Sequence, residues 1–159
     1  MQVYSFKVAL MYDKRIYRNI EILKNQTLAD LHESIFEAFE RYDEHLYSFF
    51  LTRKATKSTR VIYDFPEITH PMNLESQIDF GFKDRYDAGK TKIGELTLGE
   101  KEKLYYLFDF GDEWWHELTV LKIRDMENSK GFPKIVKISG ESPAQYPDYE
   151  DDYDEKDGF

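Results

Sequence analysis

Apolar and polar positions alternate from the start of the chain, with Tyr4, Phe6, Val8 and Leu10 on one side and Ser5, Lys7 and Ala9 on the other. That two-residue period marks a half-buried strand. After a polar break at Asp13 and Lys14, Ile16, Ile20 and Ile22 repeat on one face, so residues 2–23 predict an antiparallel hairpin. Leu28, Leu31, Ile35, Phe36 and Phe39 take the spacing of an amphipathic helix over 28–41, with Thr27 ahead of it and Asp30 in its first turn. Its other face, with Asp30, Glu33, Glu37, Glu40 and Arg41, reads as solvated. Residues 46–52 read as a third strand.

From 53 to 90 the periodicity fades, and Pro66, Pro71, Gly81 and Gly89 punctuate what reads as an irregular insertion with a short strand at 60–64. A helical turn from Thr91 covers Ile93 and Leu96. Residues 103–110 and 114–124 are strand-like, and 132–138 adds another run. Glycine at the first central position suits a two-residue type II′ turn at Gly111-Asp112. That turn pairs 109 with 114 and 107 with 116, placing Tyr105, Leu107, Asp109, Trp114, His116 and Leu118 on one face. Asp109 then lies diagonal to His116, about 7–8 Å away.

Leu, Ile, Val and Phe supply 41 of the 159 residues, above the roughly 20% below which chains stay disordered. A chain of this length predicts a single domain, taken as 1–140, followed by a tail at 141–159. The charge of −9 concentrates in that tail, which holds eight acids against Lys156 and four aromatic residues. Residues 1–140 are nearly neutral at −2, so the net charge argues against a nucleic-acid partner, and the acidic tail suggests a basic protein partner instead. The absence of cysteine excludes disulfides, thiolate metal sites and a cysteine nucleophile. No run of about 18 apolar residues and no leader-like segment occur, so a cytoplasmic location without membrane insertion is expected, and a monomer with it.

Four stretches carry a family resemblance. Arg15-Ile16-Tyr17-Arg18 and Thr27-Leu28-Ala29-Asp30-Leu31-His32 match an early strand and a helix start in spacing and residue type, and residues 42–49 follow with His45-Leu46. The most specific piece is Asp109-Phe110-Gly111-Asp112-Glu113-Trp114-Trp115-His116. Together these resemble the Ri-plasmid ORF-three-like family of bacteria and archaea, often encoded on plasmids or insertion elements. Tyr17, Asn19 and Tyr42 depart from the family pattern, as does the segment 142–148. The resemblance implies a fold and a mobile-element gene context more than a reaction.

The fold expected is α+β: an N-terminal β-β-α-β unit resembling a β-grasp joins the later antiparallel hairpin in one sheet, with the helix packed on one face. Asp109-Phe110-Gly111 lacks the Gly-rich loop, strand lysine and His-Arg-Asp loop of a kinase. Asp109 beside His116 is the candidate catalytic pair, since a carboxylate orients an imidazole for base or metal chemistry. Asp112, Trp114, His45 and His32 are candidate binding residues. No cofactor is expected from local motifs; a divalent metal, if bound, would draw on His32, His45 and His116. The leading expectation is a non-enzymatic interaction module, with a metal-assisted hydrolase using His116 and Asp109 as the alternative and an accessory role in mobile-element DNA transactions as a third.

Overall fold

The structure, a computed structural model, describes residues 1–76 and 84–146. Two long strands, β1 (Gln2–Leu10) and β2 (Asp13–Leu23), form the expected hairpin, and α1 (Leu28–Ala38) follows. Thr27 caps the helix by accepting from the Asp30 amide while the Asp30 carboxylate accepts from the Thr27 amide, which satisfies two donors that would otherwise lack partners. The helix ends at Ala38, three residues short of the sequence expectation, because Glu40 turns left-handed at φ 56° and the Arg41 amide donates back to the Phe36 carbonyl. That reversal swings Arg41 from the expected solvated face into the interior, where it is buried.

β3 (Tyr47–Arg53) comes next, and the stretch expected to be an irregular insertion holds real elements. These are α2 (Thr59–Ile62), β4 (Glu67–Thr69), α3 (Pro71–Ser76) and β5 (Arg85–Asp87). A helical turn stands where a strand at 60–64 was expected, begun by Ser58, whose hydroxyl accepts from the Val61 amide. β4 and β5 are only three residues each, too short for alternation to show in sequence. A 3-10 turn at Ile93–Leu96 leads to β6 (Lys103–Phe108), β7 (Trp114–Asp125) and β8 (Lys134–Ser139).

Among the described residues the eight strands form one mostly antiparallel sheet in the order β5-β4-β3-β6-β7-β1-β2-β8. The later hairpin β6–β7 thus inserts between β1 and β3 of the N-terminal unit. Alternation sends Tyr4, Phe6, Val8 and Leu10 into one buried cluster with Leu28, Leu31 and Ile35 of α1, so the helix and this sheet face share the main core. A smaller cluster of Phe50, Ile62, Tyr105 and Leu107 lies on the opposite face, under α2. No helix among the described residues is long and apolar enough to cross a membrane.

The β6–β7 register corrects the expected turn. Phe108 pairs with Trp114 and Tyr106 with His116, so the connection is a five-residue loop at 109–113. Asp109 makes the difference: it is left-handed at φ 64°, and its carboxylate accepts from the Gly111 and Asp112 amides. The left-handed positions are Asp109 and Glu113, not Gly111. Tyr106 and Phe108 therefore join Trp114, His116 and Leu118 on the core face, while Tyr105 and Leu107 join Trp115 and Glu117 on the other.

Candidate functional site

The chemistry-bearing side chains gather where α1, the segment 42–46 and the start of α3 meet, around an open cavity of about 700 Å³. His32, Glu33, Glu44, His45, Tyr47 and His70 are among its walls. His32 lies one turn into α1 and is nearly fully buried, stacked on the Tyr47 ring at 3.7 Å between centroids and 6° between planes. Its Nδ1 is 2.7 Å from the Tyr106 hydroxyl and its Nε2 is 3.1 Å from Glu44 Oε2 and 3.8 Å from Glu33 Oε1. A ligand atom from each of His32, Glu33 and Glu44 falls within 4.8 Å of the others.

Burial, with smaller contributions from His70 and Arg41, pulls the His32 pKa down to about 3, so the ring is neutral near pH 7. Burial pushes Glu44 up, and repulsion from Glu33 adds to it against a small opposing pull from His45. Burial also raises the Tyr106 phenol well above its ordinary value, so it remains protonated. In this state the Tyr106 O–H donates to Nδ1 and Nε2–H donates to Glu44, a chain in which each hydrogen has an acceptor.

Asp109 and His116 do not form the expected pair. The Asp109 carboxylate caps its own loop and lies 3.4 Å from His45 Nε2, while His116 Nε2 accepts from Arg41 at 2.7 Å and its Nδ1–H donates to the Tyr106 carbonyl. An imidazole nitrogen that already accepts from a guanidinium has no lone pair left for a metal, so His32, His45 and His116 do not converge as one ligand set. Asp112 is exposed at the loop tip. Trp114 packs near Arg41 and Tyr12. Arg41 Nη1 and Trp114 Nε1 are both buried without an acceptor among the described residues.

The tail falls in two parts. Residues 141–146 lie on the body: Ser142 donates to the Phe39 carbonyl, Gln145 accepts from the Tyr42 and Asp43 amides, and the Tyr146 hydroxyl donates to Asp43 and accepts from His45. Residues 147–159, with seven of the eight acids, lie outside the described residues.

Glu33, Glu44, His70, Tyr106 and Arg41 were not predicted as site residues. Glu44 stands next to the His45 motif, which is a signal; His70 comes from the segment with no readable period, and nothing in sequence relates it to α1.

No curated protein matches the chain. The crystal structure of a protein of unknown function, MM3350 from Methanosarcina mazei Go1, resembles it with a TM-score of 0.67 at 20% identity, covering 91% of this chain and 72% of that one, which is a likeness of fold. The signature pieces at 15–18, 27–32 and 109–116 sit respectively on β2, at the start of α1 and around the β6–β7 loop, and residues 2–154 match the sequence model of the plasmid pRiA4b ORF-3-like proteins, so the chain belongs to that family.

Proposed function

We propose that the cavity beside α1 binds a divalent transition-metal ion through His32 Nε2, Glu33 and Glu44, and that metal-assisted hydrolysis of a small ligand is its reaction class. The observation behind this reading is the convergence of one nitrogen and two carboxylates on an open cavity, with the His32 ring fixed from behind by Tyr106. Nitrogen and oxygen donors suit zinc and its neighbours, and three protein ligands leave positions for water and substrate. A bound ion would act as a Lewis acid and lower the pKa of a bound water. The reading moves the hydrolase alternative from His116 and Asp109 to the other side of Tyr106.

Metal at Nε2 requires the Nδ1–H tautomer, which donates to the Tyr106 oxygen as an outer partner. The phenol proton then loses its acceptor, at a cost of about 1–3 kcal/mol, so moderate affinity is expected. Calorimetric titration of untagged protein with zinc tests this. One ion should bind, Glu33→Gln and Glu44→Gln should each weaken it, and Glu37→Gln, on the same helix away from the cavity, should not. No saturable heat, or equal heat in all variants, would leave His32 as a packed core histidine.

The interaction-module reading keeps one specific support. β8 forms an edge of the sheet, and its Val136 and Ile138 are 52% and 66% exposed. An edge strand offers free backbone groups to a partner strand. Val136→Asp with Ile138→Asp should then abolish partner binding and leave the zinc titration unchanged.

A further inference from the structure

The sheet face opposite α1 has a charge pattern that the chain total conceals. Register places Lys137, Asn19, Lys7, Thr119 and Lys103 in one row across β8, β2, β1, β7 and β6. Adjacent strands lie about 4.8 Å apart, so the three lysines recur about every 10 Å. Lys134 stands on this face opposite Glu21, Lys122 opposite Ser5 and Arg124 opposite Val3, and Lys14 reaches over it to Glu117. Across β8, β2, β1, β7 and β6 that makes seven cations against two carboxylates, Glu21 and Glu117, in a protein of net charge −9.

Both carboxylates are buried and engaged. Glu21 accepts from Ser5 and pairs with Arg124, and Glu117 binds Lys14, Lys103 and Tyr105. Lys7, Lys122, Lys134 and Lys137 have no carboxylate partner among the described residues. Three of them rest on rings instead: Lys7 and Lys137 lie 4.4 and 5.4 Å from the Tyr17 ring centre, and Lys134 lies 4.4 Å from that of Phe132.

We propose that this face binds single-stranded nucleic acid, with Lys7, Lys122, Lys134 and Lys137 holding the phosphates and Tyr17 stacking a base. Charge complementarity selects a polyanion. The shape selects a single strand: α1 packs on the other face, and among the described residues no helix stands on the β8, β2 and β1 part of this face to enter a duplex groove. Single strands instead lie on flat surfaces that combine cations with ring faces, and here the half-buried Tyr17 ring lies beneath Lys7 and Lys137. When a base takes the Tyr17 ring, the displaced lysines move to the flanking phosphates. The site is separate from the cavity beside α1, so either reading stands or falls alone.

The test is fluorescence anisotropy of a labelled oligothymidylate with the full chain over a salt series. Binding is expected to weaken with salt at a log–log slope of about −0.7 per phosphate contact, or about −3 if Lys7, Lys122, Lys134 and Lys137 each hold one. Lys7→Glu with Lys137→Glu should weaken it by about tenfold or more, while Lys90→Glu with Lys92→Glu, the same change in charge beside the start of α1, should have little effect. If the first pair fails to fold by circular dichroism, Lys7→Gln with Lys137→Gln gives the same comparison. Absence of binding at low salt, or equal loss in both pairs, would overturn the proposal. Displacement by polyglutamate at matched charge would overturn it too, in favour of an acidic protein partner.

Discussion

Arg41 donates from Nη2 to His116 Nε2 across 2.7 Å, tying the end of α1 to β7 in the protein interior. The guanidinium lies 4.9–5.6 Å from the ring centres of Phe108, Phe39 and Trp114, and burial lowers its pKa only to about 10, so it stays a cation at neutral pH. His116→Ala strands this charge, and a loss of about 3–5 kcal/mol in urea unfolding is expected. Arg41→Met with His116→Leu removes donor and acceptor together and should recover most of that loss. If the double variant is as unstable as the single, the bond is not what His116 contributes.

The two buried histidines make a second prediction, about acid. Burial, then the field of Arg41, holds His116 well below its ordinary value, and His32 is down at about 3. Both stay neutral in the folded protein while the unfolded chain protonates them near pH 6.5, so below that pH the unfolded state binds more protons. Stability should therefore fall with pH, by about 1.4 kcal/mol per unit for each histidine, and neither contributes above about pH 7. Urea unfolding from about pH 7 to 5 measures the slope, and His32→Leu should halve it. A flat profile would mean the rings protonate in place.

How much of this was legible depends on how local the cause is. The 2–23 hairpin and the Thr27 helix start follow from period and capping, and both are as the sequence indicates. Arg41 misled because a left-handed Glu40 turned it inward, and a helical projection assumes the helix continues. Asp109 misled for a similar reason: its side chain bonds its own loop, so the turn has five residues and the partner face slips by one. The cavity joins α1, the segment after it and α3, and no sequence spacing encodes that meeting.

Asp109 offers a third prediction that separates structure from chemistry. Asn keeps an oxygen for the Gly111 and Asp112 amides and tolerates positive φ, so Asp109→Asn should cost little stability. Asp109→Ala loses both bonds and the left-handed preference, and about 1–2 kcal/mol is expected in the same melts. Equal damage from Asn and Ala would show that the charge near His45 matters more than the loop.

The last prediction concerns the His32 tautomer, because metal and hydrogen bond compete for one lone pair. A phenol held protonated by burial donates to Nδ1, which leaves the proton of the neutral ring on Nε2, facing Glu44, in the metal-free protein. A metal at Nε2 must expel that proton to Nδ1, so the two ring nitrogens should exchange protonated and unprotonated character in nitrogen-15 spectra on saturation with zinc. Burial and Glu33 raise Glu44, so protons compete for the carboxylate at higher pH than for an isolated glutamate, and zinc affinity should fall as the solution is acidified. Zinc binding that leaves the His32 tautomer unchanged would place the ion on the carboxylates alone, where the buried ring and its link to Tyr106 have no part in holding it.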